Sequence, residues 1–300
     1  MTPTREPAPR ADVPPELPAD RLDALHAELT ALGSVIVAFS GGADSALLLA
    51  AALRALGPDR VLAATGDSAS LSRTERAAVQ DIARDIGARH IFVPTHELDS
   101  DGYRENSPAR CWFCKDELAG RLIALAAEQG FAHVATGTNA DDRVDRFRPG
   151  IRAAARHGVV TPLADAGLTK DQVRAVSRAW SLPTWDKPAS PCLSSRVAYG
   201  LGITRERLAR IDDAERSLRA SLRRAGIDSY DLRVRDLGER ALIQVDRSAV
   251  AAVLACADAL DSVRRAGFAA VDVDPRGFRS GSLNENSGTG TDEERPSHGS

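Results

Sequence analysis

Ser34-Val35-Ile36-Val37-Ala38-Phe39-Ser40-Gly41-Gly42-Ala43-Asp44-Ser45-Ala46-Leu47-Leu48-Leu49 decides the fold. A short β-branched apolar run ends in a Gly-Gly turn, and a helix with a strongly apolar start follows at once. Two glycines let the backbone bend tightly and come close to a ligand, because no Cβ intrudes. The helix then presents N–H groups without helical partners, and the positive end of its dipole, to whatever sits in the turn. That combination suits an anion, most often phosphate. Ser40 and Ser45 add hydroxyls on either side. The loop lacks the Gly-Lys-Ser/Thr ending of a γ-phosphate-transferring NTPase, which disfavours that class.

Working outward, Leu22, Leu25, Leu29 and Leu32 recur at helical spacing after Asp20, a candidate cap. After the loop, residues 61–65 read as a buried strand, 72–86 as a helix, 90–93 as a strand, 111–129 as a helix and 133–136 as a fourth strand. Strands alternating with helices imply an α/β fold with a doubly wound parallel sheet, whose ligands bind beyond the carboxyl ends of the strands. Thr169-Lys170-Asp171-Gln172 spells a capping box for a helix to Trp180, with Lys170 and Arg174 on one face. Beyond Gly202 the pattern changes. A long charged helix over 204–224, paired strands at 230–237 and 241–246, a helix from Asp246 to about residue 265 and a strand at 268–273 suggest a smaller α+β domain. The expected organisation is a disordered leader over 1–19, a nucleotide-binding domain over 20–200, the small domain over 201–285 and a disordered tail over 286–300.

Composition narrows the class. Charge is nearly balanced, 39 basic against 42 acidic residues, so no global positive field favours nucleic acid. No run approaches the ~18 apolar residues of a membrane span, and the leader has no signal-peptide core, so a cytoplasmic enzyme without a membrane partner is expected. Lys115, Lys170 and Lys187 are the only lysines among those 39 basic residues. A chain so biased to arginine has kept ammonium groups at three places, each beside a motif, and arginine does not replace lysine at a tight phosphate contact.

The polar motifs supply candidate chemistry. Gly137-Thr138-Asn139-Ala140-Asp141-Asp142 follows the fourth strand and suits the edge of a nucleotide pocket with Mg²⁺, although an Asn-Asp cluster alone also makes an ordinary turn. Arg146 and Arg148 bring two guanidiniums to the start of a short helix. Cys111-x-x-Cys114 and Cys192 are reduced thiols in a cytosolic setting, suited to iron–sulfur, zinc or redox chemistry. Cys192 lies in a proline-pinned segment between Lys187 and Arg196, whose charge favours a thiolate, whereas Cys256 reads as a buried cysteine in an apolar helix. Arg233 and Arg235 alternate on one strand face, able to grip a phosphate or simply to face solvent.

The Ser-Gly-Gly-Ala-Asp-Ser wording resembles the pyrophosphate loop of ATP pyrophosphatases, which cleave ATP between its α and β phosphates. Together with Cys-Trp-Phe-Cys-Lys, Gly-Thr-Asn-Ala-Asp-Asp, Arg-Pro-Gly, Trp-Asp-Lys-Pro, Cys-Leu-Ser-Ser-Arg-Val-Ala-Tyr-Gly and the closing 277–285 segment, it occurs in the order used by the LarE family, over about residues 20–285. The resemblance implies an adenine nucleotide alpha hydrolase-like fold. It also implies an ATP-dependent sulfur transferase of nickel-pincer cofactor biosynthesis, which adenylates the carboxylates of pyridinium-3,5-biscarboxylic acid mononucleotide and converts them to thiocarboxylates. In the best-known members a cysteine at the Cys192 position is consumed as the sulfur donor. The additional Cys111 and Cys114 instead match a three-cysteine subgroup, so Cys111, Cys114 and Cys192 are expected to hold a [4Fe-4S] cluster that supplies the sulfur.

Ser40, Gly41, Gly42, Asp44, Ser45, Gly137, Asn139 and Asp141 are thus expected around ATP, with Asp44 helping to hold Mg²⁺. Lys115 would neutralise phosphate charge, Cys192 would serve sulfur transfer, and Arg233 and Arg235 would hold the phosphate of the small-molecule substrate. Glu215 matches an acidic family position loosely. A homo-oligomer is expected. A tRNA thiolation enzyme, an amidotransferase-type ligase and a nucleotide sensor with a structural metal are the competing functions, the first disfavoured by the acidic charge balance.

Overall fold

The computed structural model describes residues 17–144, 149–188 and 190–279. In chain order the elements are α1 (Ala19–Leu32), β1 (Val35–Ala38), α2 (Ala43–Leu56), β2 (Val61–Asp67), α3 (Arg73–Ile86), β3 (His90–Pro94), α4 (Asp101–Arg104), α5 (Arg110–Gln129) and β4 (His133–Thr136). There follow α6 (Ala140–Val144), α7 (Pro149–Arg156), α8 (Pro162–Asp165), α9 (Lys170–Ala179), α10 (Arg205–Arg224), β5 (Leu232–Asp236), β6 (Arg240–Val245), α11 (Val250–Ala255), α12 (Ala257–Arg264) and β7 (Ala270–Val273). The Arg146–Arg148 pair and the tail lie outside the described residues, as does most of the leader.

Two compact units emerge. The first comprises the residues through Gly66, Ala78–Val93 and Leu118–Ser190; the second comprises Asp67–Ala77, Pro94–Glu117 and the chain from Pro191. The sequence suggested one boundary near residue 200. The Cys192 turn and two earlier segments group instead with the later residues, because Leu98, Tyr103, Leu193 and Val197 enter the core built there.

In the first unit the sheet order is β3-β2-β1-β4, with Val35 of β1 in parallel register with Val61 of β2 and His133 of β4. The chain therefore moves outward from β1 to β3 and returns on the far side of β1. The sheet alternates its faces as strand geometry requires. Val35, Val37, Val61 and Ala63 enter one core with α2 and α9, whereas Ile36, Leu62, Ala64 and Val134 enter another with Leu122 and Ala126 of α5. Helices thus cover both faces, confirming the doubly wound α/β fold. The reversal between β1 and β4 is the topological switch point, where the Ser-Gly-Gly loop and the Gly137 loop emerge together. Helix α1 begins before Asp20, with Pro18 in the capping position, so Asp20 complements the helix dipole from the first turn rather than capping.

The second unit carries a three-stranded sheet, β5-β6-β7, antiparallel between β5 and β6 and parallel between β6 and β7. This is the expected α+β pattern, with one correction. The single helix expected after Asp246 is divided into a 3-10 turn, α11 and α12, with Cys256 between them at φ −93° and ψ 91°. Cys256 is therefore a half-buried capping residue outside any helix interior. Asp246 accepts instead from the Tyr230 N–H at 2.6 Å and ties down the entry to β5. Among the described residues, no helix is long and apolar enough to cross a membrane.

Candidate functional site

The first unit builds its site at the switch point. Gly41 adopts φ +68°, a conformation that strains a residue with a Cβ, and Gly42 becomes the extended N-cap of α2. Ser45 Oγ, buried one turn into α2, donates to Gly42 O at 3.2 Å, lies 3.1 Å from Ser40 Oγ and accepts from Ser40 N at 3.3 Å. The two serines expected to flank the loop therefore brace it from within. Gly137 follows β4 at the point of closest approach: a Cβ there would lie 2.7 Å from Ser45 N and 2.8 Å from Asp44 C. Only glycine lets the two loops meet.

The Gly137 loop has a mainly architectural polar pattern. Asn139 is buried; its Oδ1 accepts from Asp141 N at 3.0 Å and Asp142 N at 3.2 Å, an Asx turn that starts α6, and its Nδ2 donates to Asp44 Oδ1 at 3.1 Å. Asp141, expected at the nucleotide, receives the Lys170 N–H at 2.7 Å and so holds the first turn of α9. The capping box at Thr169 and Gln172 is present as spelled. Lys170 Nζ ion-pairs with Asp44 Oδ2, and Lys187 Nζ donates to Gly41 O at 3.1 Å. Asp44 is thereby held by one amide and one ammonium, with a quarter of its side chain exposed. Lys170 carried no assigned role in the sequence; its signal was lysine scarcity.

The second unit holds the thiols and the buried arginines. Cys111 and Cys114 lie three residues apart at the start of α5, and Cys192 is the N-cap of a 3-10 turn over Leu193–Arg196. Cys111 and Cys192 are exposed, whereas Cys114 is half-buried and packs against the core. Burial pushes the Cys114 thiol up to about 12, against the pull of Lys115, with the charges of Cys192, Glu97 and Cys111 adding to the rise. The three thiols suit iron–sulfur ligation by donor chemistry. As arranged, no group of three or more His, Cys, Asp or Glu side chains is set to hold a metal among the described residues.

A hydroxyl cluster absent from the sequence reading lies beside the thiols. Tyr103 Oη is 2.6 Å from both Ser70 Oγ and Ser194 Oγ, and Ser70 Oγ donates to Glu97 Oε1 at 3.1 Å. Glu97 Oε2 is buried without a hydrogen-bond partner among the described residues. Burial, then the nearby Cys192, raises the Tyr103 phenol above its usual range. Local pattern did not reveal this cluster, because its members come from three separate segments.

Arg196 was expected to polarise the Cys192 thiol. Its Nη1 instead donates to the carbonyls of Pro191 and Cys192, and its Nε donates to Glu215 Oε1 at 3.0 Å. Glu215 Oε1 also accepts from Val234 N at 3.0 Å, so this buried pair fixes the Cys192 turn to β5. Lys187, the other expected neighbour of the thiol, engages Gly41. Arg233 and Arg235 are buried, which excludes a merely solvated face. Arg235 donates to Gln244 Oε1 at 2.9 Å and Ser195 O at 2.7 Å, and Arg233 lies over the Phe278 ring. Burial and the adjacent Arg196 lower both guanidiniums, Arg235 to about 10. Three crowded guanidiniums around Glu215 favour an incoming anion.

No protein-family model matches the chain. It is 38% identical to an uncharacterized protein of Synechocystis sp. over 267 residues, 88% of this chain and 97% of that one. It is 33% identical over 262 residues to the pyridinium-3,5-bisthiocarboxylic acid mononucleotide synthase of Lactiplantibacillus plantarum, 87% of this chain and 92% of that one. A glutamine-hydrolyzing GMP synthase of Leifsonia xyli matches at 30% over 243 residues, 70% of this chain but 46% of that longer protein. The extent of the second match, with the switch-point loop and the Cys192 turn in place, carries the conclusion that the chain belongs to the LarE family.

Proposed function

We propose that the chain is an ATP-dependent sulfur transferase acting on pyridinium-3,5-biscarboxylic acid mononucleotide. The observation that carries this reading is the exposed Cys192 on a turn fixed by Arg196 and Glu215, in the same unit as buried Arg233 and Arg235. The name of the Lactiplantibacillus plantarum relative, a bisthiocarboxylic acid mononucleotide synthase, supports the product.

In the first half-reaction a substrate carboxylate oxygen attacks the α-phosphorus of ATP, the α–β bridging P–O bond breaks, and pyrophosphate leaves. The Ser40–Ser45 loop, Lys170 and Lys187 would hold the phosphates, Asp44 would hold the Mg²⁺ that accompanies them, and Lys115 would offset developing phosphate charge. Arg233 and Arg235 hold the substrate phosphate. In the second half-reaction a sulfur nucleophile adds to the acyl carbon and AMP leaves with the former carboxylate oxygen, so that carbon keeps one oxygen and gains one sulfur. A [4Fe-4S] cluster held by Cys111, Cys114 and Cys192 would supply that sulfur as sulfide.

The exposure of Cys192 and the open arrangement of the thiols favour a second reading for the sulfur source. Here the Cys192 sulfur forms a thioester, Cα loses a proton to a base, and the Cβ–S bond breaks to leave dehydroalanine and the thiocarboxylate. Incubation with the mononucleotide and Mg-ATP tests the activity by AMP, pyrophosphate and thiocarboxylate formation. Protein that forms none of these overturns the function. Iron and acid-labile sulfide in anaerobically prepared protein support the cluster source. Loss of the mass of hydrogen sulfide from the Cys192 peptide supports sacrifice.

A further inference from the structure

The two lysines of the first unit converge on one loop from the two ends of one local construction. Helix α9 starts at the Thr169–Gln172 capping box and carries Lys170 in its first turn and Arg174 one turn later. Lys170 reaches the Asp44 carboxylate. Arg174 donates to Trp185 O at 2.9 Å and Lys187 O at 3.2 Å, which fixes the backbone from which Lys187 reaches Gly41 O. One face of α9 therefore sets two ammonium groups against the N-terminal end of α2, already positive from its dipole. The carboxylate between them, Asp44, is the residue best placed to meet a divalent cation, because Asp141 is committed to the backbone of α9. Asp44 and Lys170 keep 25% and 38% of their side-chain surface exposed, so a ligand can reach both without unfolding the loop.

We propose that Lys170 is an exchange lysine for the nucleotide, holding Asp44 until Mg²⁺ arrives and then transferring its ammonium group to the polyphosphate, while Lys187, set by Arg174, contacts the same polyphosphate. The inference deepens the ATP-dependent reading and rests on it. Its physical basis is charge conservation in a confined site. A free polyphosphate would meet the Asp44 carboxylate and find Lys170 already paired, whereas an accompanying Mg²⁺ neutralises Asp44 and releases the lysine. The ligand class recognised is a nucleoside triphosphate with its divalent cation, in preference to a monophosphate.

Calorimetric titration of the full chain with the α,β-methylene analogue of ATP, with Mg²⁺ or with EDTA, tests the exchange, with AMP as the control ligand. Lys170→Gln is expected to weaken the Mg²⁺ analogue at least about tenfold and AMP less than about twofold. Asp44→Asn is expected to change sign with the metal. It weakens the analogue in Mg²⁺ but strengthens it about fivefold in EDTA, and adding Lys170→Gln removes that gain. Lys170→Arg, which keeps a cation on Asp44 and protects the fold, is expected to lose part of the Mg²⁺-analogue affinity, since a planar guanidinium does not reproduce a compact ammonium. Wild-type affinity in the Lys170 variants, or an Asp44→Asn effect of one sign in both conditions, overturns the exchange while leaving ATP binding intact. A wild-type chain that binds the analogue in neither condition overturns the nucleotide reading itself, and the exchange with it.

Discussion

The Ser40–Ser45 loop and the Cys192 turn are both short polar stretches, yet they differ in the balance of local and distant bonds that hold them. The loop is braced largely by its own residues, Ser40, Gly42 and Ser45, and adds partners through Asn139, Lys170 and Lys187. The Cys192 turn also has bonds of its own, Ser195 N and Oγ donating to Cys192 O at 3.0 and 2.7 Å, but it depends far more on distant residues: Leu193 N donates to Ser70 O at 2.9 Å, Ser194 meets Tyr103, Arg196 meets Glu215, and Ser195 O accepts from Arg235. The contrast separates two kinds of site. A locally braced loop keeps its shape when a ligand-facing side chain changes. A turn suspended from buried ion pairs loses stability when a supporting side chain changes, even one that never touches substrate.

The strongest way to break this contrast is at Cys192 itself, an exposed side chain on the suspended turn. Cys192→Ala is expected to reduce thiocarboxylate formation by about a thousandfold or more while AMP formation on the same substrate stays within about threefold. Product analysis by mass spectrometry reads both, and an equal loss of AMP would place Cys192 in the activation step. Four residues later, at the buried Arg196, the expectation inverts. Arg196→Met removes the ion-pair partner of the buried Glu215 carboxylate and leaves it the Val234 N–H and the nearby charges of Arg233 and Arg235, so the cost in urea unfolding is about 3 kcal/mol, the low end for a broken buried pair, and a companion Glu215→Gln change recovers part of that loss. Near-wild-type stability of Arg196→Met would show that the turn is not suspended from this pair.

The same contrast explains what the sequence revealed. The parallel sheet, the Ser-Gly-Gly loop and the α9 capping box were legible because each depends on residues within a few positions of one another. Gly42 and Thr169 act on their own helices, and the alternation of Val35, Ile36 and Val37 is decided by strand geometry. The tie between Asp141 and α9 was not legible, because a carboxylate after an Asn looks alike whatever it meets, and its partner, Lys170 N, comes from a later helix. Arg196 was misread for a related reason. Its nearness to Cys192 in sequence suggested a charge for the thiol, whereas burial directs the guanidinium to main-chain carbonyls and Glu215. The Ser70–Glu97–Tyr103–Ser194 cluster had no local signature, since hydroxyls and a lone Glu become a group only when separate segments meet.

Gly137 tests how strictly the local loop depends on its one close neighbour. Gly137→Ala inserts a methyl against the backbone of Asp44 and Ser45, where no flexible side chain can yield. Overpacking of this kind costs about 1–3 kcal/mol, and the displaced loop should also weaken binding of the ATP analogue. Unchanged melting and affinity would mean that the two loops separate without consequence.

The smallest expected effect lies at Thr169, one residue before Lys170. Its hydroxyl accepts from Gln172 N while the Gln172 side chain accepts from Thr169 N at 3.1 Å, so two otherwise unpaired N–H groups of α9 are satisfied together. Thr169→Ala removes one of these bonds and costs about 1 kcal/mol in thermal or urea unfolding, whereas Thr169→Ser retains the acceptor and most of the stability. Because Asp141 still holds the Lys170 N–H, the first turn frays without detaching. Binding of the Mg²⁺ analogue should therefore fall by only about two- to threefold, well short of the loss expected on removing the Lys170 ammonium. An affinity loss as large as that of Lys170→Gln would mean that the cap, rather than the ion pair with Asp44, sets the position of the ammonium group.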